Sequence, residues 1–422
     1  MLDRLDTRWQ KQWRLFAGGW QEVDWLLMTL PIVLTAFGAV VIHSVRNHAE
    51  TAYGLNHLFV GVIGLGLALW ISRSRYETLM GWRWIIYGLA NLSLVAVIFI
   101  GTVGLGAQRW ITILGFNFQP SEFAKLAIII TLAAMLSRRD ASSLWGVVTA
   151  VAIILPPWAL VFIQPDLGTS LVFGAITLGM LYWANCNPGW LVIFISPLAA
   201  AILFHLNLPI WLGWSLGMGA IAWFTLPWRW FSTVLVTAIN LISGKLGSVF
   251  WGLLQDYQKD RLILFLDPHK DPLGGGYHLI QSRIAIGAGK LWGQGWGEGS
   301  QTQLSFIPEQ HTDFIFSAIG EEWGFVGAIA VIVAYWFICY RLVIIAQNAK
   351  DDFGSLLAVG VLSMVVFQVV INIGMTIGLA PVTGIPLPWL SYGRSALLTN
   401  FLALGVVQSV ANFRHRLKFT DN

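Results

Sequence analysis

Charge is what this sequence lacks most. Lys, Arg, Asp and Glu supply 11% of its 422 residues against 56% hydrophobic residues, and a chain so long and so apolar is no ordinary soluble domain. Cysteine is nearly absent. Cys186 and Cys339 sit in or beside apolar stretches without CxxC or metal-ligand spacing, which excludes a disulfide scaffold and leaves two small hydrophobes. The start lacks the short apolar run and small-residue site of a cleavable signal peptide, because charges there alternate with aromatics. No solenoid repeat, heptad run or low-complexity tract is present, so one membrane domain is expected without a soluble companion. No nucleic-acid partner is expected of such a chain.

Repeated apolar stretches of roughly 17 to 25 residues are what is there instead, the length a helix needs to cross the hydrocarbon of a bilayer. They fall near residues 25–44, 57–72, 84–103, 122–136, 144–163, 168–185, 190–205, 210–226, 232–254, 314–345, 355–379 and 395–412. The predicted fold is an all-α polytopic membrane protein with ten or twelve transmembrane helices and one large extracytoplasmic loop. Residues 1–24, with Leu2, Leu5, Trp9, Trp13, Phe16 and Trp20 spaced by three or four and basic residues between, read as an amphipathic helix on an anionic membrane surface. Residues 25–412 form the membrane domain and 413–422 a basic tail. Lys and Arg collect at the N-terminus, at Arg73, Arg75 and Arg83, at Arg138 and Arg139, and at the C-terminus. The positive-inside rule makes these cytoplasmic, termini included, and places 104–121 and 255–313 outside. Many of the 23 Trp stand at segment ends, as Trp25, Trp82, Trp84, Trp228 and Trp230 do, where an indole suits the headgroup level.

Polar residues gather at the outer ends of these segments. Asp313 closes the long loop in Pro308-Glu309-Gln310-His311-Thr312-Asp313. A carboxylate at the mouth of a membrane helix is partly desolvated, which raises its pKa and suits a general base; the competing reading is a helix N-cap. Arg109 and Trp110 sit on the short outer loop. Glu122 and Lys125 follow a helix-starting Pro120, spaced to form an i, i+3 ion pair or to grip an anionic headgroup. Asp166 either caps the next helix or joins a polar cavity with Lys125. The basic groups of Asp256-Tyr257-Gln258-Lys259-Asp260-Arg261, and those before and after Gly274-Gly275-Gly276, are either solvated or able to hold a diphosphate. Between Asn372 and Ser395, Pro381, Gly384, Pro386, Pro388 and Gly393 break any helix, and irregular backbone at membrane depth must be covered by protein or line a water-filled cavity.

Together these motifs resemble the SEDS family (shape, elongation, division and sporulation), its rod-shape branch more than its division branch. The resemblance rests on Arg109-Trp110, QPSEFAKL from Gln119, QPDLGTS from Gln164, DYQKDR from Asp256, GYHLIQSRIAIGAG from Gly276, FIPEQHTDFIF from Phe306 and PVTGIPLPWLSYG from Pro381. It implies a peptidoglycan glycosyltransferase that joins lipid II units outside the bacterial cytoplasmic membrane, working with a class B penicillin-binding protein and the elongation machinery. The family's essential carboxylate falls on Asp313 and its functional loop Trp on Trp110. Arg109, Glu122, Lys125, Asp166, Gln281, Ser282, Glu309 and His311 are the accompanying substrate-binding candidates. A divalent metal, magnesium or manganese, is implied only by similar enzymes, since no ligand cluster shows in the sequence. Three departures stand out: Arg394 replaces a Gly in the family's SYGGS, Trp389 follows Leu-Pro, and residues 206–250 look like an added apolar hairpin.

The implied chemistry is a single displacement. Asp313 takes the proton of an acceptor sugar's 4-hydroxyl, the oxygen attacks the anomeric carbon of a second lipid-linked glycan, and undecaprenyl diphosphate leaves with inversion. The rival is a lipid II flippase, which intramembrane charges and a broken helix would also serve; a scaffold for a penicillin-binding protein is the third reading. A flippase needs polar residues through the full membrane depth, and here they cluster toward the outside.

Overall fold

The computed structural model describes residues 23–45, 52–104, 107–113, 116–138, 144–253, 259–261, 264–265, 267–271 and 276–414. All but the last two residues of the expected amphipathic stretch 1–24 lie outside these, as do Asp256, Tyr257, Gln258, Gly274, Gly275 and the tail beyond Arg414.

The helices are α1 (Trp25–Val45), α2 (Ala52–Ser72), α3 (Glu77–Ile100), α4 (Pro120–Leu136), α5 (Leu144–Ile163), α6 (Leu167–Trp183), α7 (Pro188–Leu206), α8 (Leu208–Thr225), α9 (Arg229–Leu253), α10 (Tyr277–Ala288), α11 (Ser300–Gln303), α12 (Ile315–Gln347), α13 (Asp352–Ile377) and α14 (Arg394–Asn412). Ten helices among the described residues are long and apolar enough to cross a membrane. The 17-residue α4 and α6 stand at the lower edge of that length. Helices with lipid on one side and protein on the other carry apolar residues all round, and Phe59, Val62, Trp70, Phe99 and Phe224 are indeed exposed. In the interior α2 and α14 pack closely, because a side chain on Gly405 would begin only 2.7 Å from the Ala68 Cα. Helices α8 and α9 occupy the stretch read as an added hairpin and pack on each other and on α7.

A small antiparallel sheet interrupts the helical pattern between α3 and α4. Strands β1 (Thr102–Gly104), β2 (Ala107–Ile113) and β3 (Phe116–Phe118) run in that order. Thr102 pairs with Trp110 and Thr112 with Asn117, where the Thr112 hydroxyl also donates to Asn117 Oδ1 at 2.9 Å. The β-branched and aromatic residues of this stretch favour a pleated ribbon, so an expected all-α fold carries one small sheet between α3 and α4.

The second departure lies inside α12. Gly324 takes φ 63° and ψ −160°, which splits the element into a short buried helix and a long one. The backbone groups that the break frees are taken up by residues 290–295. Phe325 N donates to Lys290 O at 2.9 Å, Val326 N to Leu291 O at 3.1 Å, and Glu321 O accepts from Gln294 N at 2.9 Å. Broken helices survive in a membrane only with such substitutes. That backbone region is open essentially to glycine alone, and a Cβ there would stand 2.3 Å from Gly293 N. Gly324→Ala is therefore expected to cost about 1 to 3 kcal/mol or more, read as a lower thermal midpoint in detergent; an unchanged midpoint would refute the account of the break.

Candidate active site

Asp313 stands just before α12, between the long loop and the membrane-embedded helix. The N-cap position of that helix falls on Phe314, whose side chain has no acceptor, and so one residue beyond Asp313. Its main chain is held from another element: Asn372 Nδ2, on α13, donates to Asp313 O at 2.8 Å and to Ile385 O at 2.7 Å. That second carbonyl follows Gly384, whose φ of 75° puts the chain in the left-handed region. A side chain at Gly384 would begin 3.3 Å from Asp313 Oδ2 and 3.9 Å from Arg261 Nη1. Glycine there lets the irregular chain between α13 and α14 approach the carboxylate.

The charges around Asp313 come from four residues, Arg109 on β2, Asp166 at the start of α6, and Arg261 and Glu309 in the long loop. Burial is the largest influence and pushes its carboxyl up to about 6; Glu309 and Asp166 act in the same direction, while Arg261 and Arg109 oppose them. A carboxylate still ionised at neutral pH yet raised toward it is well matched to accept a proton. His278, stacked on Phe314 with ring centroids 6.0 Å apart, faces Arg261 and Glu309; burial and then Arg261 push its imidazole down.

The remaining candidates divide. Arg109 on β2 donates to Pro165 O beside Asp166, and it is the extra residue of a β-bulge, standing between Gln108, which pairs with Val103, and half-buried Trp110, which pairs with Thr102. Asp166 takes the capping role: it accepts from Thr169 N at 3.3 Å at the start of α6, and also from Ser121 Oγ and Gln119 Nε2 at 3.3 and 3.4 Å. Glu122 and Lys125 form a buried ion pair at 2.6 Å. Glu309, exposed at φ 50°, accepts from the Thr312 hydroxyl at 3.1 Å. His311 is buried against Tyr53 and Tyr392, at 5.7 Å from each ring.

Ser282 is a correction. It is wholly buried, bonded to Ser317 Oγ at 2.6 Å and donating to Thr376 O at 2.7 Å, so its hydroxyl joins α10 to α12 and α13 rather than meeting a ligand. Gln281 beside it is half-buried. Arg394 lies over the Phe116 ring at 5.8 Å and donates to Tyr392 OH at 3.3 Å, tying β3 to the start of α14. Trp389 is buried, and its carbonyl lies 3.3 Å from His57 Nε2. Asn372 and His278 lay within motifs quoted above but carried no spacing signal of their own. Among the described residues no three His, Cys, Asp or Glu side chains come close enough to share an ion; they do not fit a metal cage built by protein alone, and no step below runs through a metal.

A polytopic membrane protein with a carboxylate under the electrostatic influence of two arginines, just before one of its membrane helices, is thereby defined. The chain belongs to the family of cell cycle proteins comprising FtsW, RodA and SpoVE, which it matches over residues 24–212 and 210–416. It is 34% identical to the Escherichia coli K12 peptidoglycan glycosyltransferase MrdB over 406 residues, covering 94% of this chain and 96% of that one. The Treponema pallidum peptidoglycan glycosyltransferase RodA is also 34% identical, over 93% and 98% of the two chains. A chain from a solved structure on the structural coordination of polymerization and crosslinking by a peptidoglycan synthase complex superposes with a TM-score of 0.71 at 29% identity, covering 93% and 99%.

Proposed function

We propose that this protein is a peptidoglycan glycosyltransferase that polymerises lipid II at the outer face of the bacterial cytoplasmic membrane, in the elongation of the cell, with a class B penicillin-binding protein as partner and both termini in the cytoplasm. The reading is carried by one observation: the Asp313 carboxyl, pushed up by burial, stands just before a membrane helix and outside its N-cap position, within electrostatic reach of Arg109 and Arg261. Membership of the family and the names of its relatives support the reaction class.

In the reaction Asp313 removes the proton from the 4-hydroxyl of the acceptor sugar. The oxygen forms a bond to the donor's anomeric carbon while the bond from that carbon to the diphosphate oxygen breaks. Undecaprenyl diphosphate departs with the electron pair, and the anomeric centre inverts. Arg109 and Arg261 stabilise the charge that grows on the diphosphate, an electrostatic contribution made largest by a site that excludes water. Asp166, which accepts from Gln119 Nε2 and Ser121 Oγ, adds its charge to the field at Asp313.

The test is polymerisation of purified lipid II by the protein with its penicillin-binding partner, followed across pH. A base must be ionised, so the rate should rise with pH and level off above an acid limb near 6. A flat profile between pH 5 and 8 would remove Asp313 as the base. Lipid II movement across proteoliposomes without polymer would favour a flippase instead.

A further inference from the structure

We infer that Asn372 is a positioning residue for the transfer: one buried amide group clamps the Asp313 and Ile385 carbonyls together and so holds the Asp313 carboxylate against the Gly384 turn and the Arg261 guanidinium. The inference rests on the reading of Asp313 as the base, and it adds a residue of α13 that itself meets no substrate.

The geometry is specific. Asn372 is fully buried on a long helix, and both N–H groups of its Nδ2 are used, at 2.8 Å to Asp313 O and 2.7 Å to Ile385 O. The two carbonyls belong to segments that no ladder joins, the end of the long loop and the irregular chain that follows α13. A side chain with a single donor could hold only one of them, and an apolar one neither. What the clamp brings together is chemical: a side chain on Gly384, the residue before the bonded Ile385, would begin 3.3 Å from Asp313 Oδ2 and 3.9 Å from Arg261 Nη1. Displacing a reacting group by about 1 Å costs on the order of 10²-fold in rate, so a bond that fixes the loop acts on turnover more than on affinity.

A purely structural role would also use these two bonds, and the experiment must separate them. Asn372→Leu keeps the side-chain shape and removes both donors; Asn372→Gln keeps the amide one methylene further out and serves as the second variant if the first misfolds. Each is compared with wild type and with Asp313→Asn in lipid II polymerisation with the partner protein. For a positioning residue kcat falls about 10²-fold with KM little changed. The acid limb also moves below its wild-type position, because the released carboxyl gains water while Glu309, Asp166, Arg109 and Arg261 stay where they are. Combined with Asp313→Asn, either change adds little, as expected for two residues acting through one group. Wild-type kcat and pH profile in both variants, with Asp313→Asn inactive, overturn the positioning role and leave the base reading intact. So does an equal loss in the presence and absence of Asp313→Asn. Full activity of Asp313→Asn alone overturns the base reading and this inference together.

Discussion

Asp313→Asn is expected to lower lipid II polymerisation about 10²- to 10⁴-fold, the span over which a positioned general base contributes, while leaving the protein at least as stable as wild type. The two effects have opposite signs for one reason. Burial, reinforced by Glu309, raises the carboxyl to about 6, so ionising it in the folded protein is harder than in the unfolded chain. The group therefore costs the native state nothing below the ordinary carboxyl range and its full penalty once pH exceeds about 6. That penalty is on the order of 1 to 3 kcal/mol at neutral pH, and an amide of the same shape avoids it. Thermal midpoints of wild type and variant should differ at pH 7.5 and converge as pH falls toward 4. If Asp313 were instead a helix cap, the variant would melt lower at neutral pH and keep part of its activity. The N-cap position of α12 falls on Phe314 rather than Asp313, which argues for the first outcome.

What could be read in advance follows from how local the determining interactions are. The crossings were legible because about twenty consecutive apolar residues state their own environment. The Glu122–Lys125 pair was legible as one of two alternatives, since residues three apart on a helix are neighbours wherever the helix goes. The break in α12 was not. The run from Glu321 to Gly327 reads as uninterrupted apolar helix with two acids at its start, and only the donors and acceptors of residues 290–295 make a left-handed Gly324 tolerable there. The Asn372 clamp was equally hidden, because it joins positions 59 apart. For Ser282, motif membership suggested a ligand contact, whereas burial, which no spacing reports, made it a packing bond.

Lys125→Met should be among the most destabilising single substitutions in the chain. Lys125 and Glu122 are 1% and 3% exposed with 2.6 Å between Nζ and Oε2, so removing the ammonium strands a carboxylate in the protein interior. Breaking a buried pair by one partner costs about 3 to 5 kcal/mol, whereas replacing both partners with neutral groups of similar volume is often close to neutral. Lys125→Met is thus expected to depress the thermal midpoint strongly, and Lys125→Met with Glu122→Gln to recover most of the loss. Activity of the double variant then decides between the two uses of the pair. An ion pair that only neutralises itself leaves a stable double variant polymerising at nearly the wild-type rate. One that also grips an anionic headgroup leaves a double variant that is stable and weakly active, with the loss in KM, because the cation that met the substrate is gone. The pair lies one residue from Ser121, whose hydroxyl donates to Asp166, and Asp166 acts electrostatically on Asp313. A shift of the acid limb in the stable double variant, with KM unchanged, would therefore show that the pair acts on the base through this network rather than on the lipid.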